Sequence, residues 1–136
     1  MATSDHMSPA ALRCIVRLGD ILLPRTDELP SFSELGCIDR VDDIVAYAPP
    51  GDIKDLNMLL AVLSVAPTGV LRFLTRAMMN PDGWPGPIAT LLRMLDVGLR
   101  GVIFGLYYSG KKGSAYEGKT PLEIIDFELC RVPRAE

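Results

Sequence analysis

The apolar positions of this chain fall into stripes of helical period, separated by proline-bearing breaks. Leu12, Ile15, Leu18, Gly19 and Leu22 recur at three- and four-residue intervals, the spacing of one helix face. Ser8-Pro9 opens that helix with a capping hydroxyl and a first-turn proline, and Pro24 stops it. A loop over 24–30 follows. Ser31-Phe32-Ser33-Glu34 fits a reciprocal capping box, and Leu35, Ile38, Val41 and Val45 form the stripe of a second helix ending near Ala48, before Pro49-Pro50-Gly51. Asp52 can cap a third helix with Ile53, Leu56, Leu60 and Leu63 on its apolar face. Thr68 can cap a fourth, whose inward side reads Val70, Leu71, Leu74, Ala77 and Met78. The run from Asn80 to Pro87 is irregular, with three prolines and two glycines.

The fifth helix is expected from about Ile88 to about Tyr108, with Ile88, Leu91, Leu92, Leu95, Leu99, Val102, Ile103 and Leu106 as its stripe. A membrane span needs about 20 consecutive apolar residues, and Arg93, Asp96 and Arg100 interrupt this helix, so no transmembrane segment is expected. Gly98, Gly101 and Gly105 each cost a helix up to about 1 kcal/mol relative to alanine. Their expected use is steric: close packing within the fold, or close approach of another subunit or a cofactor wall. A flexible loop is expected over 110–119. Thr120-Pro121-Leu122-Glu123 then combines a cap, a first-turn proline and a reciprocal glutamate. After it, Phe127, Leu129 and Val132 alternate in an extended C-terminal arm. The expected architecture is all-α: a small domain of about five helices over 8–136, preceded by a flexible tail at 1–7.

At 136 residues the chain is long enough for one domain and a core without staples. Fourteen basic against 17 acidic residues leave a net charge of -3, so no basic field is present for nucleic acid or for polybasic membrane attachment. Mean hydropathy is positive, at +0.23. A domain of this size buries only about two-thirds of the surface its unfolded chain exposes. Surplus apolar surface therefore points to a well-filled helical core or to a partner or ligand that covers it.

The chemistry-bearing side chains are few. His6, in the N-terminal tail, is the sole histidine, which excludes a core Ser-His-Asp or Cys-His site and histidine-based metal sites. Cys14, Cys37 and Cys130 are too scattered for a zinc site and do not make a closed disulfide framework. They are expected as reduced thiols, with Cys130 the candidate for an inter-chain bond. Neither a Walker loop nor a dinucleotide fingerprint occurs. Asp39 and Asp43 stand one helical turn apart, either as a solvated acidic face or as an acid–base pair; Asp27, Asp39 and Tyr107 are the groups a small enzyme of this sequence would use. Trp84, Tyr107, Tyr108, Phe127 and Leu129 are the candidate partner-interface residues, being apolar side chains, three of them polar-tipped, at helix ends, in a rigid loop and on the arm. Met58, Met78, Met79 and Met94, together with the glycines of the fifth helix, could instead line an apolar ligand site or a homodimer face.

The segment Ile21-Leu22-Leu23-Pro24-Arg25-Thr26-Asp27 resembles the gluconate 2-dehydrogenase subunit 3 family, in which an apolar helix runs into a proline turn ending in Thr-Asp. Glu34-Leu35-Gly36-Cys37-Ile38-Asp39 stands, approximately, where that family has a glutamate–small–glycine–valine phrase followed by phenylalanine–isoleucine–aspartate. Leu106-Tyr107-Tyr108-Ser109, followed by Thr120-Pro121-Leu122-Glu123-Ile124-Ile125, is similar to its C-terminal part. The resemblance implies a non-catalytic small subunit that binds and stabilises a large flavoprotein of the glucose–methanol–choline (GMC) oxidoreductase type. In such a complex the large subunit holds FAD and oxidises an alcohol, sugar or similar hydroxyl substrate, and a cytochrome or other acceptor takes the electrons. It implies no catalytic, cofactor-binding or metal residue in this chain. Exported members often carry a twin-arginine leader, and this chain has no such pattern. The expectation is therefore a cytoplasmic complex, or a periplasmic one whose partner carries the signal.

Overall fold

The computed structural model describes residues 3–127, and these are all-α, with no strand among them. Helix α1 (Pro9–Leu22) is central. Ser8 caps it, its Oγ accepting from the Ala11 amide at 3.2 Å, and Ala11, Leu12, Cys14, Ile15, Leu18 and Gly19 form a buried stripe, as the periodicity predicts. Around it pack α2 (Phe32–Leu35), α4 (Pro50–Leu63) and α5 (Thr68–Met79). Arg17 ties α1 to the α4–α5 corner by donating to the carbonyls of Ser64 and Ala66, at 2.9 and 2.8 Å.

The expected second helix is broken into three pieces: α2, a 3-10 turn (Cys37–Arg40) and α3 (Asp42–Val45). The break is at Gly36, whose φ of 67° lies in the left-handed region that glycine enters without steric cost. The hydrophobic stripe survives the break, with Leu35, Ile38, Val41 and Val45 all buried. The capping box forms as expected: the Glu34 amide donates to Ser31 Oγ, and the Ser31 amide donates to Glu34 Oε2 at 2.8 Å. That backbone donor, reinforced by the Arg25 guanidinium, holds the Glu34 carboxyl below its usual range.

The 24–30 turn is held at both ends. The Phe32 amide donates to the Leu23 carbonyl at 3.2 Å, and the Tyr107 hydroxyl donates to the Pro30 carbonyl at 2.6 Å. Phe32 lies directly on Gly19, so closely that a Cβ built at Gly19 would run into the phenyl ring and come within 3.0 Å of Phe32 Cβ.

The loop over 110–119, expected to be flexible, is anchored to the Gly36 break. Gly113 is buried, its amide donates to the Leu35 carbonyl at 2.9 Å, and Lys111 pairs with Asp43 at 2.6 Å. Residues 4–7, assigned to a tail, also make specific contacts. Met7 is in the core, Ser4 hydrogen-bonds to the Asp42 carboxylate, and the Asp5 amide donates to that carboxylate at 3.0 Å. After the loop, α8 (Pro121–Ile124) carries its expected capping box between Thr120 and Glu123.

The long fifth helix runs as α6 (Gly86–Leu95), a π turn (Asp96–Arg100) and α7 (Gly101–Tyr107). Leu92, Leu99, Ile103 and Leu106 all face the core, at the seven-, four- and three-residue spacing of one helix face that carries across the π turn. Ile88 and Leu91, assigned to the same stripe, are exposed, as is Val70 of α5. Both faces of these helices carry apolar residues, and periodicity cannot tell a core face from an apolar outer face. No helix among the described residues is long and apolar enough to cross a membrane.

Candidate partner interface

The aromatic candidates are placed apart. Trp84 leads into α6, 37% exposed, its ring set edge-to-face against Phe73 of α5 with centroids 5.9 Å apart. Tyr108 ends α7, partly exposed and edge-on to Tyr107. With 1.5 Å of rise per helical residue, Trp84 and Tyr108 stand roughly 35 Å apart along the axis. Phe127 is exposed beyond α8, and Leu129 lies outside the described residues, as does Cys130. Tyr107 is not an interface residue. Its ring is fully buried and its hydroxyl is committed to the Pro30 carbonyl, so it locks the turn to the long helix. A tyrosine at a helix end reads as a border residue from sequence; the 77-residue separation of its hydrogen-bond partner is what takes it inside.

The surface suited to a partner lies on the outer side of the long helix. Leu91, Met94 and Val97 are exposed, Met94 at 68% and Val97 at 77%. Gly98 and Gly101 continue the surface, and a Cβ at either would meet nothing within 4 Å. These two glycines therefore do not serve close packing inside the domain. Gly105 does approach a neighbour, at 3.3 Å from Ile44 Cδ1. Leu91, Met94, Gly98 and Gly101 follow the three-four-three spacing of a helix seam. Its flanks are charged: Arg93 pairs with Asp82, and Arg100 pairs with Asp96 at 3.1 Å while lying over the Phe104 ring. An apolar strip with a charged rim is the anatomy of a docking surface. The sequence reading missed this face because it merged Leu91 with the core stripe. The signal that could have found it is the second three-four-three series, offset by one residue from Leu92.

The methionines do not gather into one ligand site. Met78 is in the core, whereas Met58, Met79 and Met94 are exposed on three different helices. The acid–base candidates are likewise dispersed. Asp27 is in the exposed 24–30 turn, Asp39 lies in the 3-10 turn beside Gly113, and Asp43 is held by Lys111, which keeps its carboxyl below the usual range. Among the described residues no group of three His, Cys, Asp or Glu side chains is placed to hold a metal ion.

Cys14 and Cys37 are buried free thiols. Burial pushes Cys37 up to about 12, with the Asp39 charge adding to the effect, and burial likewise pushes Tyr107 up to about 12. Both groups bind protons more tightly in the folded chain than in the unfolded one. Their contribution to stability is complete below the ordinary thiol value of 9.0 and is lost as pH rises toward about 12. The urea midpoint is therefore expected to fall across that alkaline window, and Cys37→Ala and Tyr107→Phe should each flatten the slope. An unchanged slope in both variants would refute the assignment.

No family model, curated protein or solved structure matches this chain.

Proposed function

We propose that this chain is a non-catalytic accessory subunit that binds and stabilises a larger protein. The observation that carries this reading is the outer face of the long helix, where Leu91, Met94 and Val97 stand exposed beside two glycines with open space over them. Exposing such residues costs about 25 cal/mol for each Å² of apolar surface left in water, and a helix docking there recovers it. The glycines let the incoming backbone approach closely. The engagement of Tyr107 with Pro30 and of Asp43 with Lys111 supports a structural use of those groups.

The partner proposed is a large FAD-dependent dehydrogenase of the GMC type, oxidising an alcohol, sugar or similar hydroxyl substrate and passing electrons to a cytochrome or another acceptor. This finer statement rests on the resemblance of the 21–27 turn, the 34–39 phrase and the 106–125 segment to the gluconate 2-dehydrogenase small subunits. FAD would belong to the partner, whose fold would bind it and whose flavin would do the redox chemistry.

Co-expression with a GMC-type flavoprotein encoded beside this chain tests the reading. The expected result is a complex with flavin absorbance in which each chain is more stable than alone, because ligation to the folded state raises stability. A partner-free, monodisperse monomer of high melting temperature that ignores the flavoprotein would overturn it. So would turnover of an alcohol by the isolated chain.

A further inference from the structure

A groove of about 620 Å³ runs between the C-terminal half of α1 and one face of α5, away from the seam of the long helix. Arg17 lines it from α1; Arg72 and Arg76 line it from α5, one helical turn apart. Like charges at that spacing repel, costing a helix a few tenths of a kcal/mol. No ion pair among the described residues involves them: those pairs are Arg25–Glu34, Arg93–Asp82, Arg100–Asp96 and Lys111–Asp43. The carboxylate that lines the groove, Asp20, accepts from the Ser33 amide at 2.8 Å and so serves the start of α2. The groove thus sets three cations against one occupied carboxylate, in a chain whose net charge is -3.

The groove is also prepared geometrically. Arg17 is fixed by neutral acceptors, the Ser64 and Ala66 carbonyls and, at 3.4 Å, Thr68 Oγ1, so its position is set without an ion pair among the described residues. Accepting from Arg17 leaves the Thr68 hydroxyl proton free to donate. Thr68, Arg72 and Arg76 lie at four-residue intervals, which places them on one side of α5. The apolar part of the lining is Ile21, Leu22 and Pro24 at the end of α1 and Met79 at the end of α5.

We propose that this groove binds a soluble phosphate monoester with a short apolar stem. The guanidiniums of Arg72 and Arg76 would take the phosphate oxygens, an arrangement suited to their paired donors. Thr68 would donate its hydroxyl proton, Arg17 would add a fixed positive charge, and the stem would rest on Ile21 and Met79. Nothing in this assignment depends on the identity of the protein partner.

Thermal unfolding of the intact chain in hexyl phosphate, in inorganic phosphate and in sodium chloride, at matched ionic strength, tests it. A ligand that binds only the folded state raises the melting temperature. Hexyl phosphate is expected to raise it most, inorganic phosphate less, and chloride least. Titration calorimetry with hexyl phosphate should show affinity falling by roughly tenfold in Arg72→Gln and in Arg76→Gln. Arg93→Gln, remote from the groove and paired with Asp82, should bind as the unsubstituted chain does. Equal stabilisation by hexyl phosphate and chloride would overturn the proposal, as would unchanged binding in both groove variants. Binding to phosphatidic acid vesicles without binding to hexyl phosphate would overturn the soluble ligand in favour of a lipid surface.

Discussion

Phe32→Ala is expected to destabilise the domain by about 3–5 kcal/mol, the range for removing a buried aromatic ring. Domains of this kind have a total stability of only about 5–15 kcal/mol, so the urea midpoint should fall by a large fraction. The size of the effect follows from position. Phe32 is completely buried, starts α2, and fills the space over Gly19 where α1, α2 and the 24–30 turn meet. Gly19→Ala attacks the same contact from the other side, since its new methyl would collide with the ring, and overpacking of this kind costs about 1–3 kcal/mol. The two changes should not add. With the ring gone the methyl has room, so the double variant should recover on the order of 1 kcal/mol relative to the sum of the singles. Additive losses in equilibrium urea unfolding would show that Phe32 and Gly19 do not share one packing site.

Met94→Asp is expected to weaken partner binding by roughly thirtyfold or more, about 2 kcal/mol, while leaving the isolated chain intact. Met94 is 68% exposed at the middle of the Leu91–Gly101 seam. A surface change without a buried partner alters stability by no more than about 0.5 kcal/mol. A carboxylate at the centre of an apolar interface must be desolvated without a counterion, and loss of a central contact costs about 2 kcal/mol or more, roughly thirtyfold in affinity. Gly101→Leu should act in the same direction by filling the space into which a helix would come. Leu92→Ala gives the contrasting pattern: Leu92 is buried one residue away, so its truncation should lower the melting temperature of the isolated chain. Co-purification with the flavoprotein, alongside melting curves of the single chain, separates the two. A Met94→Asp chain that assembles with undiminished affinity would remove the seam from the interface.

Some of this molecule is legible in the sequence because local physics fixes it. Ser8-Pro9, Ser31 with Glu34 and Thr120 with Glu123 announce helix starts, since each pattern satisfies backbone donors only where a helix begins. The stripes of α1 and of the 35–45 segment identify buried residues correctly, Leu22 at the end of α1 being only partly buried, because polar residues such as Arg13, Arg40 and Asp43 mark the outward side. The long helix is where that logic fails. Its residues are apolar on two sides, so Leu91 and Leu92 look alike in a periodicity plot, yet one is exposed and the other buried. The Arg17, Arg72 and Arg76 cluster was equally hidden, because residue 17 and residues 72–76 share no local pattern and meet only when α1 and α5 pack.

The sequence by itself thus determined the all-α class, the approximate positions of the principal helices, the caps at Ser8, Ser31 and Thr120, and the absence of a helix suited to a bilayer among the described residues, whereas Asp52 and Thr68, read as caps, lie inside helices that Pro49 and Pro67 precede. These depend on interactions within a few residues along the chain. Only the tertiary structure decided that Gly36 breaks the second helix against Gly113, that Tyr107 reaches across to Pro30, and that Gly98 and Gly101 face open space. Each of these turns on which segment happens to pack opposite. That choice comes from burying the whole set of apolar faces at once, which no single window of the chain contains.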